Sequence, residues 1–536
     1  MTPQRARIIP SLTIAAVIAL GLGLLPASSA ATPAVNATFT PKLAYVTCPA
    51  GEDLPPRTKC AKLTVPLDWQ TPNDGRTIQI AMRVTPPARD AGKLGLTWNP
   101  GGPGSSAVDM HEFFYSLLPD SIRDRFDVIS WDPRGVAKSE PNLKECTPVS
   151  VKPPATGPVD WDAYWQKTAT LEGAASAACF AANPNAAPYL GTWQVVRDMD
   201  AMRAALGYPR WNYWGISYGT RIGNAYARTF PNKLRALIED ASVMANESIG
   251  RFGATTPAGD HAAVEVYSAL VGNGQAYKIR AINAYLNDSV IADGDGSILD
   301  RWDFNAVLNS LARSQSQYPV MRDLVNNAYD YVTKSERPNN GGQMADLDLD
   351  DFVPVPDDDF VIPNPDSDAF IVKFVSCADM ADRPTSADLA RISREAEKNY
   401  GAAFGLHVGR ASMCLGLPSG YSPPSMPADT TIALSNAPLF LLSSGDAATP
   451  WIWGRSLANT FAKSRTLTFE STTHGILAVL SPCINDVVEK YLLTLRLPRT
   501  DVFCPYVPDK PAEKVKAPSQ GKQAAVVRGT TGDYIL

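Results

Sequence analysis

The chain has little histidine and lacks the patterns by which proteins commonly hold metals, nucleotides or nucleic acid. Only four of its 536 residues are histidine, and none lies three to five residues from a cysteine, which argues against a zinc site. No CxxC pair and no GKS or GKT phosphate-binding sequence occurs. The net charge is −5 and there is no basic cluster, which argues against binding to nucleic acid. We therefore expect no cofactor, no metal and no nucleic-acid partner.

The N-terminus has the pattern of a secretory signal peptide. Two arginines precede an uncharged stretch at residues 8–25, and Ser28 and Ala30 suit a cleavage site after Ala30. The apolar core is short for a membrane span, and no later segment resembles a stop-transfer sequence. No cysteine lies at the cleavage point, so no lipoprotein anchor is expected. We predict a secreted, extracellular monomer that has no membrane contact once residues 1–30 are removed.

The eight cysteines form an even set in a chain that we expect to be exported, and this combination predicts disulfides. They fall into four couples whose members are close in sequence. That grouping favours one pairing among the many possible: Cys48 with Cys60, Cys146 with Cys179, Cys377 with Cys414, and Cys483 with Cys504.

Short apolar strands alternate with helical segments in two parts of the chain. We predict strands at residues 94–98, 126–131, 211–214, 234–238, 437–442 and 466–470, and helices at 193–206 and 221–230. Residues 242–427 differ, because helical segments separated by polar and proline-rich loops replace the alternation. These helices are predicted at 261–271, 275–286, 304–311 and 389–399. The pattern predicts an α/β fold with a mostly parallel central sheet, helices on both faces and a large, mainly helical cap insertion.

The same pattern sets the expected domain boundaries. They are a signal peptide at 1–30, a first core part at 40–241, the cap at 242–427, a C-terminal core part at 428–510 and a loose tail at 511–536.

Two acidic segments, at residues 293–297 and 346–368, invite comparison with calcium sites. An EF-hand loop requires glycine at its sixth position and glutamate at its twelfth. The first segment offers Ile298 and Phe304 there, and the second offers Asp351 and Asp357. We expect solvated loops.

The motif Gly215-Ile216-Ser217-Tyr218-Gly219 is the most informative part of the sequence. It follows an apolar run and precedes a segment that can form a helix. A serine on a sharp strand-to-helix turn needs small residues two positions away on either side, because a Cβ there would collide with the packed helix and strand. A glycine-rich loop would explain the motif equally well in isolation. In this context it predicts a nucleophile elbow with Ser217 as the nucleophile.

A nucleophilic serine requires an imidazole that accepts its proton. His111 lies just after a glycine-rich loop, and His261 and His407 lie in the predicted cap. His474 follows a predicted strand near the end of the core, and it is the histidine placed where the base belongs.

A carboxylate must hold that imidazole in the correct tautomer. It should follow a strand that lies between the serine and the histidine in chain order. Asp446 does so, and Asp240, at the end of the preceding strand, is the alternative.

The glycine-rich loop at residues 101–104 is expected to contribute to an oxyanion hole. Backbone N–H groups aimed at a developing oxyanion are each worth about 3–4 kcal/mol. We assign the two donors to Tyr218 and Gly102, with Gly101 as the alternative to Gly102. A phosphate-binding loop is disfavoured, because no dinucleotide fingerprint follows the glycines. The Asp132-Pro133-Arg134-Gly135 turn is expected to brace this loop, with Asp132 and Arg134 paired to each other.

Five motifs in this order resemble the secreted tripeptidyl aminopeptidases of actinomycetes, which belong with the proline iminopeptidase-like α/β-hydrolases and carry a TAP-like C-terminal region. They are the 101–104 loop, the 132–136 turn, the 215–219 elbow, Gly445-Asp446 with Thr449-Pro450, and Thr473-His474-Gly475. The resemblance covers residues 48–506. It implies an α/β-hydrolase fold and a serine exopeptidase that releases tripeptides from a free N-terminus through an acyl-enzyme on Ser217.

Two positions depart from that family. Asn99-Pro100 stands before the glycines where proline iminopeptidases carry a histidine, and Ala137 stands where many relatives have glycine. The first difference could alter the shape of the acyl pocket.

An aminopeptidase must also bind the ammonium group of its peptide substrate, usually through a carboxylate. Glu239, Glu247 and Asp379 are candidates by location alone. A secreted esterase or lipase with the same triad is the alternative function. A binding or cell-wall protein that keeps the fold without catalysis is disfavoured, because the serine, acid, base and oxyanion glycines are all present.

Overall fold

The computed structural model of the protein describes residues 39–506, except for 53, 88–93, 145, 293–297, 334–359, 362–366, 424–429 and 480. The predicted signal peptide, the predicted tail, the 293–297 segment and most of the 346–368 segment lie outside the described residues.

A large mixed sheet forms the centre of the protein. The strands of the described residues are β1 Lys42–Val46, β2 Lys59–Pro66, β3 Thr77–Thr85, β4 Gly95–Asn99, β5 Asp127–Trp131, β6 Val149–Ser150, β7 Trp211–Ile216, β8 Leu234–Asp240, β9 Ile291–Ala292, β10 Ile298–Leu299, β11 Phe360–Val361, β12 Leu439–Ser443, β13 Arg465–Phe469 and β14 Val502–Cys504. Ten of them form the main sheet in the order β1-β2-β3-β5-β4-β7-β8-β12-β13-β14. The pairs β1–β2, β2–β3 and β3–β5 are antiparallel, and every later pair is parallel.

Helices lie before, between and after these strands. The α-helices are α1 His111–Leu117, α2 Asp120–Arg123, α3 Trp161–Ala182, α4 Thr192–Leu206, α5 Tyr218–Thr229, α6 Ile249–Val271, α7 Gln275–Leu286, α8 Arg301–Ala312, α9 Tyr318–Thr333, α10 Ser367–Asp379, α11 Ser386–Tyr400, α12 Trp451–Ala458 and α13 Pro482–Thr494. Short 3₁₀ helices occur at Ala187–Tyr189, Pro231–Lys233, Gln315–Gln317, Ala402–Ser412 and Ile476–Val479. No helix of the described residues is both long and apolar enough to cross a membrane.

This architecture confirms the predicted fold class. Each predicted strand matches an observed strand to within a few residues, and the parallel part of the sheet uses all six of them. The antiparallel strands β1–β3, and helices α3, α9 and α10, were not predicted. Helices α6 to α11 lie between β8 and β12, within the predicted cap, but the boundaries 242 and 427 themselves stay a prediction.

Helix α6 begins twelve residues before the predicted start, and the added part contains glycines that pack closely on neighbouring elements. A Cβ at Gly253 would lie 2.2 Å from the Cβ of Ala411, and one at Gly259 would lie 2.3 Å from Cγ of Pro450. Ser248 caps the helix by accepting a hydrogen bond from the Arg251 N–H. The low helix propensity of glycine is therefore offset by close approach of α6 to its neighbours.

Apolar residues fill both faces of the sheet. Neighbouring residues in the central strands belong to different cores: Tyr213 of β7 packs in one and Trp214 in the other. Successive side chains of a strand point to opposite faces, so a helical layer covers each face. A third apolar core, which includes Ile282, Phe304 and Leu324, joins helices α6 to α9 within the helical region.

Four disulfides join the cysteines in the predicted pairs, with Cα–Cα distances between 5.2 and 5.9 Å. The bond between Cys377 and Cys414 links the C-terminal part of α10 to the residues that follow the 402–412 helix. Helix α3 also contacts this region, because Trp165 Nε1 donates to the Ser393 hydroxyl of α11 at 2.9 Å. The disulfide therefore links two parts of the 242–427 region covalently, and the hydrogen bond links α3 to that region.

Candidate active site

Ser217 lies on the sharp turn between β7 and α5. Its backbone has φ 54° and ψ −124°, a left-handed conformation that residues with a side chain adopt rarely. The Ser217 N–H donates to the Asp240 carbonyl at 2.9 Å, which fixes the turn against the end of β8. The observed geometry is that of a nucleophile elbow.

The glycines of the motif are required by the packing around this turn. A Cβ at Gly215 would lie 2.4 Å from the Gly219 carbonyl oxygen, and a Cβ at Gly219 would lie 2.5 Å from the Asn99 carbonyl oxygen. Real Cβ atoms do not approach backbone oxygens so closely. Larger residues at either position would therefore displace the turn that presents Ser217.

Asp446 and His474 form a buried pair at the ends of β12 and β13. His474 Nδ1 lies 2.9 Å from Asp446 Oδ2 and 3.0 Å from Oδ1. Since a carboxylate accepts, the Nδ1 proton points toward Asp446 and Nε2 is left as the proton acceptor. This is the tautomer that a general base for serine needs.

Several donors hold the Asp446 carboxylate in place. The N–H groups of Ala448 and Thr449 donate to Oδ1 at 2.8 and 3.0 Å, and the Thr449 hydroxyl donates to Oδ2 at 2.8 Å. The backbone N–H of His474 donates to the Arg313 carbonyl at 2.9 Å. Both members of the pair are therefore fixed by bonds to elements outside the pair.

Ser217 and His474 line the same pocket, which encloses about 730 Å³ including the space at its mouth. Among the described residues no hydrogen bond joins the Ser217 hydroxyl to the imidazole. Such contacts are often loose in free enzymes and tighten when substrate binds.

Asp240, the alternative acid, is tied to the loop of His474 instead of to its ring. Its Oδ1 accepts the Ile476 N–H at 3.0 Å, and its Oδ2 accepts the Leu477 N–H at 3.2 Å and the Trp214 indole N–H at 3.3 Å. Burial raises the pKa of Asp240 to about 7, although these hydrogen bonds oppose the shift. Asp446, and not Asp240, is in position to orient the base.

The glycine-rich loop packs directly on the elbow. A Cβ at Gly101 would lie 2.7 Å from both the Ile216 carbonyl oxygen and the Ser217 Cβ. The Gly101 N–H already donates to the Asn99 side-chain oxygen at 3.0 Å, so it is not free for an oxyanion. Gly102 and Tyr218 both line the pocket, which favours Gly102 over Gly101 as the second donor.

The turn after β5 binds residues that follow this loop, and its expected internal ion pair is wrong. Asp132 accepts the Ser106 hydroxyl at 2.9 Å and the Val108 N–H at 3.0 Å, and burial raises its pKa to about 6. Arg134 makes a bidentate pair with Asp198 of α4, with both bonds at 2.7 Å. The buried guanidinium reaches a helix that lies 64 residues away in sequence, which local spacing does not indicate.

Ala137 has φ 40°. This is a conformation that glycine adopts without cost, so the glycine of many relatives at this position has a conformational reason.

The other three histidines lie away from Ser217. His111 is buried between the hydroxyls of Thr85 and Ser130, both at 2.7 Å, and burial lowers its pKa to about 3. His261 packs beside Tyr400 and Phe404. His407 pairs with Asp260 at 2.5 Å. None of the three lines the pocket of Ser217, so the sequence-based choice of His474 agrees with the geometry.

Two of the three candidate carboxylates for the ammonium group lie beside the pocket. Glu247 contacts Arg221 at 2.7 and 3.0 Å, and Asp379 contacts it at 3.1 Å. Arg221 lines the pocket, one turn along α5 from Ser217. Burial raises the pKa of Asp379, while Arg221 and hydrogen bonds from Thr192 oppose that shift.

Glu239 is placed elsewhere. Its carboxyl is fully buried beneath α5, with Oε1 only 2.5 Å from where a Cβ of Gly223 would lie. Burial raises its pKa well above the ordinary value, which disfavours the charged form that an ammonium group needs. Adjacent residues of a strand point to opposite faces, which explains why Asp240 faces the site and Glu239 does not. We remove Glu239 from the ammonium-binding candidates.

Sequence reasoning missed most of the pocket wall. Arg221 could have been found, because a residue four positions after Ser217 lies on the same side of a helix. The helical region adds apolar and cationic side chains: Phe252, Arg313, Val372, Arg410 and Met413. No motif marks these positions, because each depends on how the helices pack over the sheet.

Comparison with known proteins gives two family matches and several relatives. Residues 98–259 match the family described as the alpha/beta hydrolase fold, and residues 402–504 match the family described as TAP-like protein. The serine protease Hip1 of Mycobacterium tuberculosis is 30% identical over 466 residues, which cover 83% of this chain and 87% of that protein. The tripeptidyl aminopeptidase of Streptomyces lividans is 27% identical over 492 residues, 87% of each chain. Carboxylesterase B of Mycobacterium tuberculosis is 28% identical over 473 residues, 83% of this chain and 86% of that protein.

Proposed function

This chain belongs to the α/β-hydrolase family with a TAP-like C-terminal region, and from that premise we propose that it is a secreted serine exopeptidase. It hydrolyses peptides near their free N-terminus and releases tripeptides. The observation that supports this most strongly is that Ser217 and His474 line one pocket while Asp446 accepts the Nδ1 proton of the ring.

In the first half of the reaction, Ser217 becomes acylated. Its Oγ attacks the carbonyl carbon of the scissile peptide bond while Nε2 of His474 accepts the hydroxyl proton. The C–N bond then breaks as His474 gives that proton to the departing amine. The N-terminal part of the substrate remains as an ester on Ser217.

In the second half, water releases the acyl group. The water gives a proton to His474 as it attacks the ester carbonyl, and the ring returns a proton to Oγ when the C–O bond breaks. Asp446 stabilises the imidazolium in both halves, since its carboxylate stays on the Nδ1 side. The N–H groups of Tyr218 and Gly102 stabilise the oxyanion.

The Arg221 cluster is best suited to bind the substrate ammonium group. Two carboxyl groups, those of Glu247 and Asp379, contact the single guanidinium of Arg221. Buried carboxylates in excess favour a cation nearby. An exopeptidase needs such an excess beside its nucleophile, because it must recognise the free N-terminus.

An esterase is the second candidate function, and the likeness to carboxylesterase B favours it. Part of the pocket wall is apolar, with Val243, Phe252, Val372 and Met413. An acyl chain would fit that wall as well as a peptide side chain does.

The test compares three substrates: an Ala-Pro-Ala-type tripeptide p-nitroanilide, its N-acetyl derivative and a p-nitrophenyl ester. We expect the free-amine peptide to have a kcat/KM about 100-fold above that of the acetylated peptide. A fluorophosphonate probe should label the enzyme but not Ser217→Ala. Equal cleavage after acetylation would contradict the exopeptidase, and hydrolysis of the ester alone would support the esterase.

The Arg221 cluster is tested by Glu247→Gln. Removing one negative charge should raise KM for the free-amine peptide by about tenfold and leave the acetylated peptide unaffected. The matched control is Glu265→Gln, because Glu265 pairs with Arg280 at an exposed site. An unchanged KM in Glu247→Gln would assign the ammonium group to other residues.

A further inference from the structure

Arg410 lines the pocket, and no carboxylate of the described residues forms an ion pair with it. Its Nη1 donates to the Ala448 carbonyl at 2.8 Å, and its guanidinium lies 5.2 Å from the centre of the Phe252 ring. Arg221 differs, because Glu247 and Asp379 both contact it.

The position of Arg410 is fixed by its surroundings. It belongs to the 402–412 helix, which packs so closely on α6 that a Cβ at Gly253 would lie 2.2 Å from Ala411. The disulfide of Cys414 follows directly after this helix. Fixing an arginine side chain costs roughly 2 kcal/mol in rotamer entropy, and here packing has met that cost before any ligand binds.

Its location is also coupled to the catalytic loop. The Ala448 carbonyl accepts from Arg410, and the Ala448 N–H donates to the Asp446 carboxylate. The guanidinium therefore stands beside the loop that orients the base. One of its five donors is used by Ala448, and the fork geometry of the others suits a carboxylate.

The charge of the pocket wall also favours an anionic ligand near Arg410. Three arginines line the pocket, Arg221, Arg313 and Arg410, and no aspartate or glutamate is among the described lining residues. Near the site, Glu247 and Asp379 contact Arg221, and Asp446 contacts His474. A substrate anion near Arg410 would thus meet a cation for which no carboxylate of the described lining residues competes.

We propose that Arg410 binds a carboxylate of the substrate, so that the enzyme favours short peptides with a free C-terminus or an acidic side chain close to the scissile bond. This inference rests on the proposed peptidase function. It assigns the two charged ends of a short peptide to different parts of one pocket, with the ammonium group at the Arg221 cluster and the carboxylate at Arg410.

Two pairs of peptides separate the sources of the carboxylate. In one pair the residue after the scissile bond is glutamate or glutamine, and both C-termini are amidated. In the other pair that residue is alanine, and the C-terminus is free or amidated. For wild type we expect a kcat/KM about tenfold or more higher for the charged member of at least one pair.

In Arg410→Gln this preference should fall to about one, because the variant removes the charge. Arg410→Lys should keep part of the preference, and it serves as the second variant if Arg410→Gln does not fold. Arg391→Gln is the matched control, because it removes an exposed arginine that pairs with Glu395 on α11. It should keep the wild-type preference.

The ratio distinguishes binding from support of the catalytic loop. If Arg410 only holds Ala448, its loss lowers kcat/KM equally for both members of a pair. That result would overturn the proposal, as would a wild-type preference near one in both pairs or a preference that survives in Arg410→Gln.

Failure of the peptidase function gives a different result. If no peptide is cleaved while a fluorophosphonate still labels Ser217, the proposed function is wrong, and two esters then test Arg410. Wild type should prefer p-nitrophenyl hydrogen succinate over p-nitrophenyl butyrate, and Arg410→Gln should lose that preference. Equal rates on the two esters would overturn the carboxylate proposal as well.

Discussion

Two histidine–aspartate pairs occur in the described part of the chain, and they differ in what surrounds them. His474 Nδ1 lies 2.9 Å from Asp446, and His407 Nδ1 lies 2.5 Å from Asp260. Both pairs are largely buried. Of the two imidazole rings, that of His474 lines a pocket together with Ser217, and that of His407 does not line this pocket. A short imidazole–carboxylate contact is therefore not sufficient to identify a base.

The difference lies in the support that each carboxylate receives. Asp446 accepts hydrogen bonds from the Ala448 N–H and from the N–H and hydroxyl of Thr449. Among the described residues, the side chain of Asp260 forms a hydrogen bond with the His407 ring alone. Asp446 follows a sheet strand, whereas Asp260 lies within helix α6. Loops at the carboxyl ends of parallel strands supply fixed catalytic groups.

The largest expected effect separates the two histidines directly. His474→Ala should lower kcat by about 10⁴-fold or more, because the proton of Ser217 then has no acceptor. His407→Ala should lower kcat by less than about tenfold, since its ring contacts Asp260 and Phe404 and not the nucleophile. Steady-state kinetics on the preferred substrate measure both. Comparable losses of kcat in the two variants would contradict the assignment of His474, and not His407, as the base.

A second prediction concerns Asp240, which accepts hydrogen bonds from the N–H groups of the loop after His474. Burial raises its pKa to about 7, compared with 3.8 in the unfolded chain. The folded state thus keeps a proton that the unfolded state releases. The stability from Asp240 is fully present below about pH 4 and is lost as the pH rises to about 7, by on the order of 4 kcal/mol.

Asp240→Asn removes this titration and keeps one acceptor for the loop N–H groups. The free energy of unfolding of wild type should therefore fall relative to that of the variant as the pH rises from 4 to 7. Urea denaturation at several pH values measures that difference. Asp501→Asn, at an exposed pair with Arg455, is the control and should show little change. A pH-independent difference for Asp240→Asn would show that its carboxyl titrates normally.

The proposed catalytic residues could be chosen from the sequence because they follow chain order at strand ends. Ser217, Asp446 and His474 each stand after a predicted strand, and parallel strands bring such positions to one edge. The choice of Gly102 over Gly101 could not be derived, because it depends on the Asn99 side chain folding back onto the Gly101 N–H.

The other pocket-lining residues could not be predicted, because they come from helices whose packing leaves no local sequence pattern. Arg410 lines the pocket from the 402–412 helix, which packs closely on α6 at Gly253. The predicted partner of Arg134 was wrong for a similar reason. Asp198 is distant in sequence, and local spacing suggested Asp132 instead.

The smallest expected effect tests whether support of the carboxylate, and not the pairing itself, distinguishes His474. Thr449→Val keeps the shape of the side chain and removes the hydroxyl that donates to Asp446 at 2.8 Å. Two backbone donors remain, so kcat should fall by about threefold to tenfold, equivalent to about 1 kcal/mol. Thr333→Val, whose hydroxyl donates only to a carbonyl on the exposed part of α9, should leave kcat unchanged. An unchanged kcat in Thr449→Val would mean that the backbone donors alone fix Asp446. A loss as large as that of His474→Ala would instead make the threonine part of the catalytic machinery.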